Sequence, residues 1–505
     1  MKKKLNLLLM AVAFAATASA QQPGWLHKDL KADSVFGISA DKAYKELLKG
    51  KKPKQVIVAV IDAGADYKHE DLKDVIWKNK KEIAGNGKDD DKNGYADDVY
   101  GWNFLGSAKG SVMYDNMEIA RIVKSNPNSP LKDTLAKKLN EARMNAGNIA
   151  GFQQVLNGVV AKLGTTPDST AFKNFKSADG QQAQVARIIY QMMQGGATYP
   201  EIKDGIASDL KHFEDELKYN LNVDYNSRDT VGDNYADVNE KIYGNAVVDA
   251  PDCDHGTHVS GIIAAKRGNG LGIDGIADAA LILPVRAVPT GDERDKDIAN
   301  AIYYAVNNGA KVINMSFGKG YSPEKEAVDK AVKYAVSKDV LFVHAAGNDA
   351  KNVDVENNFP RAAYLNTGDA AANWIEVGAS GWSNDESLPA SFSNFGAKTV
   401  DVFAPGVKIN STTPGSKYAD HDGTSMASPV VAGIAALVRE YYPALTASQV
   451  KEIIVKSVVK VNYKVKKPGT DDLVDFTDLC SSGGVVNAYD ALVLAAKYAK
   501  GQVSK

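Results

Sequence analysis

The sequence predicts an α/β fold, a mostly parallel central sheet with helices on both faces, plus an inserted all-helical subdomain. Apolar runs of strand length recur along the chain, and helical patterns alternate with them. Between about residues 117 and 222 the alternation gives way to helical periodicity with almost no strand signal.

The first twenty residues, MKKKLNLLLMAVAFAATASA, join three lysines, an apolar run and the small-residue end Ala18-Ser19-Ala20. This is the pattern of a cleavable export signal (1–20), so the product is expected to be exported, periplasmic or extracellular. The run is too short to span a bilayer, which leaves no membrane anchor after signal removal. Residues 21–54 form an N-terminal arm. The main domain, 55–505, opens with VIVAVI (56–61), a continuous apolar run that suits a strand buried on both faces and ends at Asp62.

Within the insertion, the stretches 131–163, 184–194 and 201–221 place apolar residues at three- and four-residue steps. Strand-like runs resume with ALILPVRAV (280–288), KVINMSF (311–317), VLFVHAAG (340–347) and WIEVGAS (374–380). Helical patterns at 297–309 and 324–338 fall between them. HDGTSMASPVVAGIAALVREYYP (421–443) sets small and hydroxyl residues before a helical run, and residues 451–461 and 486–500 read as helices closing the same domain.

Lys and Arg number 60 against 62 Asp and Glu, a balance that gives no electrostatic reason for a nucleic-acid or membrane-surface partner. Cys253 and Cys480 are the two cysteines; either they form one disulfide or both are free thiols.

Ser425 falls at the mouth of a helix, where backbone N–H groups stabilise charge formed beside it; a simple N-cap role for Ser425, Thr424 or Ser428 is the alternative. A serine nucleophile needs a base, and the chain holds seven histidines. His27 in the arm and His212 in the insertion are expected on the surface, and His344 within VLFVHAAG in the core. His255 is followed by Gly256, which leaves room for close approach at the start of a helix. Asp62 ends a strand, where the open end of a parallel sheet usually holds a ligand site.

Asp62, His255 and Ser425 together make an acid, base and nucleophile. At these residues the chain resembles the subtilisin-like serine peptidases. IDAGADYKHEDL (61–72) is similar to the family's aspartate block, with Ala63 for the usual serine. HGTHVSGIIAA (255–265) is similar to its histidine block, with Ser260 for alanine, and GTSMASPVVAG (423–433) matches its serine block. The resemblance implies an exported serine endopeptidase acting on protein or peptide substrates through an acyl-enzyme, with no catalytic cofactor. HAAGND (344–349) resembles the family's oxyanion segment, nominating the Asn348 side chain and the Ser425 N–H as donors. NMSFGKG (314–320) resembles the segment that pairs with substrate backbone, nominating Ser316, Phe317 and Gly318 for substrate binding; Phe317 departs from the small aliphatic residue more usual there. Asp62 and His255 lie 193 positions apart, mostly because of the insertion, which is expected near the substrate cleft.

Two metal readings remain. In GKDDDKNGYADDVYGWNF (87–104), Asp89, Asp91, Asn93, Gly94 and Asp97 fall at positions of a calcium-loop register, so a structural Ca²⁺ is expected, with Asp98 or a more distant acid completing the shell. Cys253, His255 and His258 form the alternative of a zinc site, which leaves Asp62 and Ser425 unexplained. A further alternative is an inactive binding module of the same fold.

Overall fold

The computed structural model describes residues 24–164 and 166–502; the expected signal sequence lies outside them. The described residues fall into two units, residues 119–225 and the remainder.

The main unit is organised by a nine-stranded sheet. Its strands are β1 (Val56–Asp62), β2 (Trp102–Asn103), β3 (Ala280–Arg286), β4 (Val312–Met315), β5 (Leu341–Ala345), β6 (Trp374–Ser380), β7 (Val402–Pro405), β8 (Val459–Lys460) and β9 (Gly484–Val485). In space they run β8-β9-β7-β6-β5-β4-β1-β3-β2, and only the β8–β9 pair is antiparallel. The continuous apolar runs follow from burial on both faces. Val56, Val58 and Val60 enter one core with α1 (Asp254–Ala264), α4 (Thr424–Tyr441), α5 (Ala447–Lys456) and α6 (Ala488–Ala499), whereas Ala59 and Ile61 enter another with α2 (Asp295–Asn307) and α3 (Lys325–Ser337). Helix α4 is buried almost all round, which explains why its sequence is apolar on every face.

The arm is part of the main unit's interior: Trp25, Leu26 and Ile38 join the core around α4, Phe36 packs in a separate cluster with Phe403 and Phe476, and the Ala488 N–H donates to the Ile38 carbonyl at 2.7 Å. This corrects the expectation for His27. It is only 7% exposed, and burial, assisted by the Arg267 charge, lowers its pKa to about 4. His344 is buried as expected. Both cysteines are free thiols in buried positions.

In the other unit, helices Lys132–Leu163, Gly180–Gln194 and Tyr199–Asp215 pack around Leu156, Val159, Phe172, Val185, Ile189 and Ile202. Local signals fix their ends. Asp179 caps the second helix, and Thr198 with Glu201 forms a reciprocal capping box on the third. His212 is exposed on the third helix.

Candidate active site

The carboxyl ends of the central strands and the amino ends of two helices hold the candidate residues. Asp62 is the last residue of β1 and only 1% exposed. Its carboxylate accepts the Ala63 N–H at 2.8 Å and faces His255 Nδ1 at 2.8 and 3.0 Å. A carboxylate accepts, so Nδ1 carries the hydrogen and the neutral ring leaves Nε2 as an acceptor. Burial lowers the His255 pKa, but the charge and hydrogen bond of Asp62, aided by Asp254, outweigh it and the net shift is upward.

Gly256 makes this approach sterically available. A Cβ there would lie 2.0 Å from the Gly64 carbonyl oxygen and 3.1 Å from Asp62 Oδ1. One turn on, His258 is fully buried, with Nε2 3.0 Å from the Ala419 carbonyl and its ring stacked on His421 at 4.1 Å. Burial, with the His421 charge, lowers its pKa to about 3, so it stays neutral.

Ser425 is the second residue of α4. The N-cap position belongs to Gly423, which makes no side-chain cap, so the capping alternative for Ser425, Thr424 and Ser428 fails. The Ser425 hydroxyl donates to the Ser316 carbonyl at 2.9 Å, in place of the expected bond to the imidazole. Both acceptors suit a serine hydroxyl, and catalytic hydrogen bonds commonly tighten only when substrate binds.

Pro429 lies inside α4, four residues beyond Ser425, and has no N–H to give the Ser425 carbonyl. The Ser316 hydroxyl takes that place, donating to the Ser425 carbonyl at 2.9 Å. Asn314 Nδ2 donates to the Ser316 hydroxyl, and the Ser428 hydroxyl donates to Asn314 Oδ1, each at 2.9 Å. The end of β4 and the first turn of α4 are thereby tied together.

Asn348 follows β5. Its Oδ1 accepts the Thr424 N–H and hydroxyl, both at 2.9 Å, which assigns the amide orientation and leaves Nδ2 on the other side. Gly423 has φ +152° and ψ 159°, a region kept essentially for glycine. A Cβ on it would stand 3.5 Å from both Asn348 Nδ2 and the Ser425 nitrogen. Two N–H donors therefore border one small space that glycine keeps open, an arrangement suited to an oxyanion. Neither Gly423 nor Thr424 was singled out as a partner of Asn348 in the sequence, although both adjoin the serine.

Ser316 is buried, Phe317 half-buried and Gly318 exposed, just past β4. A Cβ at Gly318 would meet Asn358 Oδ1 at 2.2 Å.

The acidic loop at 87–104 brings part of the expected calcium register together. Asp89 and Asp91 join Glu82, with one oxygen of each within 4.8 Å of the others. Asp97 lies outside that group, and the Asn93 N–H donates to both Asp89 and Asp91 at 3.0 Å. Asn93 Oδ1 accepts the Tyr95 N–H, and the Asp97 carboxylate accepts the Asn86 and Gly87 N–H groups at 3.1 and 2.8 Å. Asp97 has φ +59°, in the left-handed region where Asp is among the enriched residues. Asp98 is buried and bonded to Tyr304 and Asn79. Glu82 was missed because it lies seven positions before the register starts, although it is the nearest acid upstream. The zinc alternative fares worse: Asp62 engages His255 Nδ1, and among the described residues only the Glu82 group brings three such ligand atoms together.

The pattern of the subtilase family matches residues 53–483. A thermophilic serine proteinase of Bacillus sp. (strain AK1) is 40% identical over 239 residues, covering 47% of this chain and 52% of that protein. An extracellular protease of Xanthomonas campestris pv. campestris is 38% identical over 262 residues, covering 48% and 40%. Subtilisin NAT of Bacillus subtilis subsp. natto is 41% identical over 201 residues, covering 39% and 49%. The chain thus spans about half the length of the curated relatives it matches.

Proposed function

The chain belongs to the subtilase family, and we propose that it is an exported serine endopeptidase that hydrolyses peptide bonds through an acyl-enzyme. The observation that carries this reading is the Asp62–His255 hydrogen bond at 2.8 Å. The two N–H donors around the space at Gly423, beside Ser425, add to it. Export is supported by the N-terminal pattern and by the extracellular protease among the relatives.

In the proposed reaction, the Ser425 hydroxyl leaves the Ser316 carbonyl and passes its proton to His255 Nε2 as Oγ bonds to the scissile carbonyl carbon. The carbonyl electron pair moves onto oxygen, where Asn348 Nδ2 and the Ser425 N–H receive the charge. The carbon–nitrogen bond breaks as the imidazolium protonates the leaving amine. Water then repeats the sequence on the ester, releasing the acid and restoring the hydroxyl. Asp62 holds the hydrogen on Nδ1 and orients the ring. Ser316, Phe317 and Gly318 supply the edge along which substrate backbone lies.

Labelling with a fluorophosphonate followed by peptide mass spectrometry tests the reading: a single adduct on Ser425 is expected, and a folded protein that takes no label there would refute it. Asn348→Ala is expected to lower kcat about 10²–10³-fold with KM little changed, because the lost donor acts on charge present only in the transition state. Steady-state kinetics on a peptide substrate checks this.

We also propose that Glu82, Asp89 and Asp91 hold a structural Ca²⁺. Their oxygens already accept N–H groups, yet among the described residues no lysine or arginine pairs with them, so a hard cation would offset three crowded carboxylates. Saturating Ca²⁺ at about 100 times its Kd stabilises by roughly 2.7 kcal/mol. Chelation is therefore expected to lower Tm by a few degrees. Scanning calorimetry of the wild type and of Glu82→Gln, which should lose this response, checks it.

A further inference from the structure

His344 has no part in the reaction scheme, yet it is fully buried and uses both ring nitrogens. In the sheet it stands opposite Met315 on β4 and Glu376 on β6. Parallel neighbours in register put their side chains on the same face, so imidazole and carboxylate lie side by side, and Nδ1 is 2.9 Å from Glu376 Oε1. Glu376 is itself fixed: its Oε2 accepts Trp374 Nε1, and its N–H donates to Asp401, each at 2.9 Å.

The other nitrogen, Nε2, lies 2.8 Å from the Phe317 carbonyl oxygen. That carbonyl can only accept, so Nε2 carries a hydrogen. The β4–β5 ladder ends at the Met315–His344 pair, two residues short of Phe317. The ring thus takes over where the backbone ladder stops. An apolar side chain of similar volume would fill this position without the cost of burying two polar groups, so the pair is explained by what it orients.

We propose that His344, oriented by Glu376, is a positioning residue for the substrate-binding edge. It draws the Phe317 carbonyl inward. The Ser316 carbonyl is turned to another side, where it accepts the hydroxyl of the proposed nucleophile, Ser425. An extended peptide would pair there. The inference rests on the serine-peptidase reading.

The test compares wild type, His344→Leu and His344→Gln on a tetrapeptide anilide and on a single-residue ester, with the rate of Ser425 sulfonylation by phenylmethanesulfonyl fluoride as a third readout. His344→Leu is expected to lower the tetrapeptide-to-ester ratio of kcat/KM about tenfold or more, since small misplacement of a binding edge is costly. His344→Gln, which retains an N–H donor, is expected to recover much of that ratio. Equal losses on both substrates and in sulfonylation would mean a purely structural role and overturn the inference, as would an unchanged ratio. If His344→Leu does not fold, Glu376→Leu, which leaves Nδ1 without its partner, is read in the same way, with a lowered ratio expected and a constant one overturning the proposal. Failure of the wild type to be sulfonylated overturns the peptidase reading itself, whereas a constant ratio in a reactive enzyme overturns this inference alone.

Discussion

Replacing Ser425 by alanine is expected to lower turnover about 10⁶-fold and abolish fluorophosphonate labelling, with Tm nearly unchanged. The hydroxyl makes one hydrogen bond, to the Ser316 carbonyl, and the side chain is only partly buried, so its loss costs about 1 kcal/mol of stability. The tie between β4 and α4 survives, because it runs from the Ser316 hydroxyl to the Ser425 main-chain carbonyl. Chemistry and fold are therefore separable at this position. Burst kinetics and a thermal melt measured together check it, and activity within tenfold of wild type would mean that another group is the nucleophile.

Asp62→Asn is expected to lower kcat about 10⁴-fold, and its pH dependence is the sharper readout. The asparagine amide can donate to Nδ1, which shifts the hydrogen to Nε2 and leaves no acceptor for the serine proton. In the wild type the net pKa of His255 lies above 6.5, because Asp62 outweighs burial. In the proposed reaction the neutral ring is the base, so kcat/KM is expected to fall as pH drops through that raised value. Without the Asp62 charge, burial acts with less opposition, and the acid limb should move to lower pH. The sign for stability is opposite. A histidine whose folded pKa is raised contributes stability that is fully present below about 6.5 and is lost as pH rises through the folded pKa. The Tm difference between wild type and Asp62→Asn is thus expected to be larger at pH 5 than at pH 9. An identical difference at both would sink the assignment.

Where burial is two-sided, the fold was legible. The run at β1 and those at β3 to β6 announce themselves because neighbouring strands and two helical layers leave no solvent face. The two-residue strands β2, β8 and β9 carry no such pattern, since a period cannot be read from two residues and their partners are remote in sequence; β8 falls within 451–461, which reads as one helix, whereas the helix ends at Lys456. β7 is as long as β4 but was not singled out in the sequence. At the site, residue type and local position nominated Asp62, His255 and Ser425, because each role demands a particular functional group, whereas Asn348 was nominated by the resemblance of HAAGND to the family's oxyanion segment. Orientation was not legible: Thr424 sets the Asn348 amide, and Pro429 frees the carbonyl that Ser316 binds, both through contacts made only in the folded chain. The buried state of His27 was missed because the arm has no strand or helix pattern long enough to mark it as core.

The strand order also sets a timetable for synthesis. β1 is made early, yet both its neighbours, β3 and β4, start only at Ala280 and Val312. At typical elongation rates of about 5–20 residues per second, β1 waits roughly 10–40 s for its first partner. During that interval the apolar run VIVAVI has neither edge covered, whereas the helices at 132–215, which pack against one another, are already complete. The nascent chain is therefore most exposed to misassociation before residue 280 emerges, and a helper that shields a short apolar strand would act in that window.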